Sequence, residues 1–317
     1  MIEIANYGSD DKPLWDGFVR RSKNGSFLFY RDYMEYHSDR FLDSSLLFFE
    51  DDVLIAVMPA NTAENILYSH RGLTYGGVVS DRKMKIGLML ELFDSLMTYL
   101  IQHRIKTLVY KAIPHIYQVV PAEEDLYALF RYDAKLIRRD VSSAILLDEP
   151  IPFRKGRKWS IKRGKKNELT IKRTNDFEAF MSIEEAVLRS KYNAKPTHTS
   201  SEIESLAQKF PENIKLFAAY KDQIMLAGVI IYESKPVVHT QYIASSDIGK
   251  KMGATELLLD SLINQYSSGK KYFDFGISTE KGGAYLNRGL AAYKEGFGAR
   301  AIAYDAYEVD VAISNSL

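Results

Sequence analysis

Apolar and polar positions along the chain alternate between short β-rich runs and longer runs of helical period. From Leu46, LLFFE, a turn at Asp51 and Asp52, and VLIAVMP spell a strand, a tight turn and a strand. ILYS and LTYGGVV predict further strands. Met84, Leu88, Leu92, Leu96 and Leu100 then recur at helical spacing between Lys83 and Arg104. KTLVYKAIP reads as a buried strand, Ala122 to Tyr132 as a short helix, and AKLIRRDVSSAILL as a closing strand.

The same order begins again near Lys215. IKLFAAY, a turn at Lys221 and Asp222, and QIMLAGVIIY form a second hairpin, and PVVHTQYIAS predicts the next strand. An apolar helix is expected from about Lys250 to Tyr266, followed by the buried strand KKYFDFGIS. Ala284 to Lys294 is the short helix and ARAIAYDAYEV the closing strand. Leu46 and Lys215, Lys83 and Lys250, Lys106 and Lys270, and Lys135 and Arg300 are offset by 169, 167, 164 and 165 residues. Four elements that keep both order and spacing indicate a duplicated unit. The expected fold class is therefore α/β (α+β): two tandem units, each a mixed, mostly antiparallel sheet flanked by helices.

Between the repeats the composition changes. Arg154, Lys155, Arg157, Lys158, Lys162, Arg163, Lys165 and Lys166 lie within Pro150 to Asn167 without one acid, around Trp159. Prolines and glycines mark the segment as a loop or a short helix entry. The expected boundaries are residues 1–150, a basic linker at 151–167, and 168–317. Beyond the linker, Thr174 and Asn175 with Glu178 are candidate caps of one helix, and Ser200 or Ser201 with Glu204 of the next.

Overall composition is that of a globular protein, with 46% hydrophobic and 26% charged residues and a net charge of +1. No global field selects nucleic acid or membrane as a partner, so the linker is the only strong local charge. The chain has no cysteine, which excludes a disulfide framework, a thiolate zinc site and a cysteine nucleophile. No histidine pair stands at metal-ligand spacing, and no metal is expected. The first ten residues have neither the basic start nor the apolar core of a signal peptide, and Leu88 to Ile101 is interrupted by Glu91, Asp94 and Ser95. A cytoplasmic location without a transmembrane segment is the expectation.

The C-terminal repeat carries the sharpest motif: YFDFGIS at Tyr272 to Ser278, then LNRGLAAYKEGFGAR from Leu286 to Arg300. An aspartate-glycine strand, a short helix and a lysine before a Phe-Gly pair resemble the FemABX group of aminoacyltransferases, built on a tandem GNAT fold. YSHRGLTYGGVV, at Tyr68 to Val79, is similar to the tyrosine-rich strand of the first unit, and the basic linker matches in position and charge. The resemblance implies transfer of an acyl or aminoacyl group onto an amine of a cell-envelope precursor such as a peptidoglycan or polysaccharide intermediate. It implies no required cofactor, and leaves the donor open between aminoacyl-tRNA and acyl-CoA. Where single-unit GNAT enzymes hold the coenzyme A pyrophosphate on an Arg/Gln-x-x-Gly-x-Gly/Ala turn, this chain reads Asp247-Ile-Gly-Lys-Lys-Met-Gly-Ala, so coenzyme A is not implied.

Acyl transfer to an amine needs an uncharged amine, a path for its proton, and a donor for the carbonyl oxygen that becomes negative. The resemblance gives the last role to Lys294; as a bare residue type it would be a helix-end cation. Asp274, between Phe273 and Phe275 on a buried strand, is either a paired structural carboxylate or part of a cleft. Tyr75, His239, Gln241 and Tyr242 lie on strands equivalent to those lining GNAT clefts. Arg71 and Asn287, inside the two family-like stretches, complete the candidate substrate-binding set together with Lys162 and Arg163 of the linker. A lone strand histidine is more often a hydrogen-bonded core residue, and His198 shares that ambiguity. The basic linker suits an anionic, phosphate-bearing partner, either a nucleotide sugar or a lipid precursor, with tRNA a further candidate. Two other readings fit the same charges: a coenzyme-A-dependent acetyltransferase of a small molecule, and a non-catalytic RNA-binding or scaffolding protein.

Overall fold

A computed structural model describes residues 2–192 and 194–311. Contacts divide them into two units. Unit 1 takes in the residues up to Asp140, Glu280–Tyr285 and those from Ala303, while unit 2 is Val141–Thr279 and Leu286–Ile302.

Unit 1 opens with β1 (Ile2–Asn6), α1 (Lys12–Arg21), α2 (Arg31–Met34) and β2 (Leu42–Asp43). The hairpin expected at Leu46 is β3 (Leu46–Glu50) and β4 (Val53–Met58), and β5 (Asn61–Ala63), β6 (Ile66–Tyr68) and β7 (Val79–Ser80) follow. α3 (Ile86–Gln102), β8 (Thr107–Lys111) and α4 (Glu124–Arg131) lead into β9 (Lys135–Leu146), whose residues past Asp140 belong to unit 2. An antiparallel sheet runs β1-β3-β4-β7. β8 pairs in parallel with β6. The α3 stripe, including Leu92, Phe93, Leu96 and Leu100, is buried against these strands, as its helical spacing predicts. LTYGGVV is not a strand throughout: only Val79–Ser80 is extended and paired, because Tyr110 reaches into the turn before it. Its hydroxyl accepts the Val78 N–H at 2.7 Å and donates to Asp125 at 2.5 Å.

Unit 2 continues with α5 (Lys155–Lys166), β10 (Thr170–Thr174), α6 (Phe177–Tyr192) and α7 (Ser200–Lys209). The second expected hairpin is β11 (Ile214–Lys221) and β12 (Ile224–Glu233), followed by β13 (Val237–Ser245), α8 (Asp247–Met252), α9 (Ala254–Tyr266) and β14 (Tyr272–Ile277). After the two-residue strands β15 (Thr279–Glu280) and β16 (Tyr285–Leu286) come α10 (Arg288–Glu295) and β17 (Arg300–Asp310). β10, β11, β12 and β13 are antiparallel neighbours. β14 joins β13 in parallel and β9 in antiparallel register, Asp274 lying opposite His239 on one side and Ala144 on the other. The cap of α7 falls two residues earlier than the Ser201–Glu204 spacing suggests. Thr199 and Glu202 form a reciprocal box, with Thr199 Oγ1 accepting the Glu202 N–H at 3.2 Å and Glu202 accepting the Thr199 N–H at 2.7 Å.

Element for element the repeat is present, yet the closing strands are exchanged. β14 is completed by Ser142 to Leu146 of β9, the strand that ends the first repeat in sequence. β8 is completed by residues 306–310 of β17, the strand that ends the second. The contact units therefore do not follow the boundaries at 150 and 168 read from the sequence. Each takes a strand from beyond them.

The basic linker is the helix α5, and its missing acids stand on other elements of unit 2. Arg157 Nη1 meets Glu256 at 2.9 Å, and Lys165 and Arg154 lie 3.9 Å from Asp260 and Glu295. Arg157 also stacks over Tyr293 at 4.0 Å, and Arg163 donates to the Lys250 carbonyl. Arg157 and Arg163 thus dock the helix, while Arg154 and Lys165 remain largely exposed beside their acids. No helix among the described residues is long and apolar enough to cross a membrane.

Candidate functional site in unit 2

The YFDFGIS motif builds its site by breaking a strand. β14 is regular up to Asp274, after which its register to β9 shifts at Phe275 and Gly276. Gly276 has φ +76°, a conformation that costs a residue with a Cβ, and an added Cβ would lie 3.2 Å from the His239 ring. The bulge turns the carbonyls of Gly276 and Ile277 toward α10, where Lys294 Nζ donates to them at 2.8 and 2.7 Å. Two of its three protons are therefore fixed in direction.

The rest of AYKEGFG holds α10 in place. Phe297 is fully buried and packs against Phe153, Phe275 and Tyr293 at centroid distances of 5.4 to 5.6 Å. Gly298, at φ +84°, passes so close to the Ile151 carbonyl that a Cβ would stand 2.1 Å from it. Lys294 is consequently not the exposed helix-end cation that its residue type alone suggests: it is 4% exposed. Burial lowers its pKa from 10.5 to about 8, and the charge of Asp274 opposes that fall.

Asp274 is fully buried and well partnered. Its Oδ1 accepts from Ser142 Oγ at 2.5 Å and from the Gly276 N–H at 3.1 Å, and Oδ2 lies 2.8 Å from His239 Nδ1. These contacts fix the bulge and orient the imidazole, and the Asp274 charge acts on Lys294.

Beyond the His239–Asp274 pair, β13 and β14 make no further ladder among the described residues. The end of β13 lines a cavity of about 350 Å3 with Val187 and Leu188 of α6, Leu290, Tyr293 and Lys294 of α10, and Thr255 and Glu256 of α9. A groove of about 580 Å3 shares Val187, Ser245 and Lys250 with it and extends to the start of α8. There Ser246 Oγ accepts the Gly249 N–H at 3.1 Å, and the Asp247 carboxylate sits 2.8 Å from Lys250 Nζ. One amide of this helix start is thus already taken by a serine cap, and an acid stands in its first turn.

The other expected site residues are dispersed. Gln241 is half-buried on β13. Tyr242 is buried, its hydroxyl 2.7 Å from His198 Nδ1, which makes that histidine a bonded core group. Asn287 caps α10 by accepting the Leu290 N–H at 3.0 Å. Lys162 is exposed on α5, whereas Arg163 is half-buried and lies over Trp159 at 4.9 Å. In unit 1, Tyr75 is buried, donating to Ser26 and packed 4.5 Å from Tyr117, which gives it a core role there. Arg71 is exposed and rests on Tyr68 at 4.9 Å.

One cavity residue escapes a reading by motif. Glu184 occupies the buried stripe of α6 together with Phe177, Phe180 and Met181. Burial raises its pKa from 4.5 to about 7. The signal was in the sequence as a glutamate at a core-facing helical position.

Residues 153–295 match the acetyltransferase (GNAT) domain family. The structure of FemX is similar over 96% of this chain and 96% of that one, with a TM-score of 0.69 at 12% identity. The chain has the FemX-like tandem GNAT fold. This GNAT tandem is also similar to L-PGS from Bacillus licheniformis, over 84% of this chain and 83% of that one, with a TM-score of 0.55 at 11% identity. The C-terminal domain of a putative lysylphosphatidylglycerol synthetase from Agrobacterium fabrum gives 0.54 at 12%, over 82% of both. No curated protein sequence matches the chain.

Proposed function

We propose that the protein is an N-acyltransferase that moves an acyl or aminoacyl group onto an amine of a phosphate-bearing cell-envelope precursor, with unit 2 as the catalytic unit. The observation that carries this reading is Lys294: a buried ammonium, two of whose protons are held by backbone carbonyls, lining a cavity where two strands of a GNAT sheet part. Its remaining proton is available to a carbonyl oxygen that gains charge during attack by an amine, the group that acyl transfer most needs. The fold likeness to FemX and to lysylphosphatidylglycerol synthetases supports an aminoacyl donor and an envelope acceptor. The capped, acid-bearing start of α8 argues against coenzyme A, so no cofactor enters the reading.

The acceptor's phosphate has a candidate surface. Lys155, Lys158, Lys162 and Lys166 are exposed and form a single stripe along α5 at i, i+3, i+7 and i+11, while Arg157 and Arg163 are held against unit 2. Formation of the acylated product from aminoacyl-tRNA or acetyl-CoA with nucleotide-sugar peptide precursors, followed by mass spectrometry, tests the function. Product formation supports it, and a protein that binds RNA but acylates nothing favours the scaffold reading.

A further inference from the structure

Acyl transfer leaves one requirement without a residue, the removal of a proton from an amine that arrives as an ammonium. His239 is paired with Asp274 and His198 with Tyr242, so neither is the group the cavity offers. Glu184 is different. It lines the same cavity as Lys294 and is 8% exposed. Among the described residues its carboxylate has neither a hydrogen bond nor an ion pair. A carboxylate without a partner is costly to bury, so its retention on an otherwise apolar helix stripe calls for a ligand.

We propose, building on the acyl-transfer reading, that Glu184 is the base that takes the proton from the attacking amine. The ammonium gives one proton to a Glu184 oxygen. The lone pair thus freed forms the C–N bond to the acyl carbon of an activated ester or thioester, and the carbonyl π pair moves to oxygen beside Lys294. Collapse of the adduct breaks the bond to the leaving group, which departs with that electron pair and takes the second proton from nitrogen. Glu184 releases its own proton to water. Among the described residues, Lys250 on α8, Tyr242 on β13, Tyr293 and Lys294 on α10, and Glu256 on α9, itself paired with Arg157, are ionisable groups around it. Its pKa of about 7 keeps it basic enough to work at neutral pH.

The test compares two small acceptors, each supplied with alanyl-tRNA or acetyl-CoA. Ethylamine is almost wholly protonated at pH 7 and needs a base, whereas hydroxylamine is already neutral. Glu184→Gln is expected to slow transfer to ethylamine by about a hundredfold or more, and to hydroxylamine by less than about tenfold. Glu184→Asp retains a carboxylate and should keep transfer to ethylamine nearer the unsubstituted protein. With ethylamine, the unsubstituted rate levels off as pH passes through about 7 and Glu184 becomes ionised, whereas the slower Glu184→Gln rate keeps rising with the fraction of neutral amine. Equal slowing of both amines in both variants, or no slowing, overturns the assignment and leaves acyl transfer standing. If the unsubstituted protein acylates neither amine from either donor, the acyl-transfer reading fails and this assignment with it.

Discussion

Replacing Lys294 by methionine separates the chemical role of this residue from its effect on stability. Burial lowers its pKa from 10.5 to about 8, so holding the charge at pH 7 costs about 3 kcal/mol relative to a solvated lysine. The substitution removes that cost but strips the donor from the Gly276 and Ile277 carbonyls, a loss of about 1–3 kcal/mol for each. The two effects oppose each other and are of similar size, so unfolding free energy at pH 7 should change by no more than about 2–3 kcal/mol. The pH dependence is more diagnostic. Between pH 8 and 10.5 the unfolded chain keeps a proton that the folded chain has lost, so rising pH stabilises the folded state through this window. Urea unfolding of both proteins from pH 7 to 10.5 should show the unsubstituted protein gaining up to about 3 kcal/mol on the variant. Other titrating groups are common to both and cancel. Parallel curves would mean that Lys294 keeps its ordinary pKa, and the electrostatic description of the site would be wrong.

Asp274→Asn should lower stability by about 3–5 kcal/mol, measured as a fall in the urea midpoint, because a buried carboxylate that accepts from Ser142 and the Gly276 N–H and pairs with His239 is replaced by a group that cannot accept from all of them. Lys158→Glu with Lys162→Glu should weaken binding of a phosphate-bearing acceptor or tRNA and flatten its salt dependence, read by fluorescence anisotropy at several ionic strengths, with kcat little changed. A fragment of residues 168–317 should fail to fold by near-ultraviolet circular dichroism, since β14 loses Ser142 to Leu146 and Asp274 loses the Ser142 hydroxyl.

Local patterns in the sequence carry the repeat well. The hairpins at Leu46 and near Lys215, the first long helix and the strands opening at Lys135 and Arg300 all stand where period and turn residues put them, while the helix expected from Lys250 is broken at Gly253 into α8 and α9. Strand exchange is invisible to that reading, because the pairing of β14 with β9 is decided by contacts more than a hundred residues apart. The AYKEGFG motif led to Lys294, but its surface-like composition concealed that Phe297 and the Gly276 bulge bury the lysine. The docking role of α5 was hidden for a related reason: the acids beside Arg157 and Lys165 lie on α9, about a hundred positions later. Tyr75 and Tyr242 sit on the expected segments, yet their hydroxyls are used within the core. Glu184 was legible as an acid on an apolar helix face, a signal that motif matching passes over.

The central claim is that unit 2 transfers acyl groups through Lys294, and single-turnover transfer by Lys294→Met and by the unsubstituted protein tests it most directly. With a donor that the unsubstituted protein accepts, the folded variant should form the amide about a hundredfold to a thousandfold more slowly, with acceptor affinity little changed. Amide formation by folded Lys294→Met at the unsubstituted rate would contradict the account.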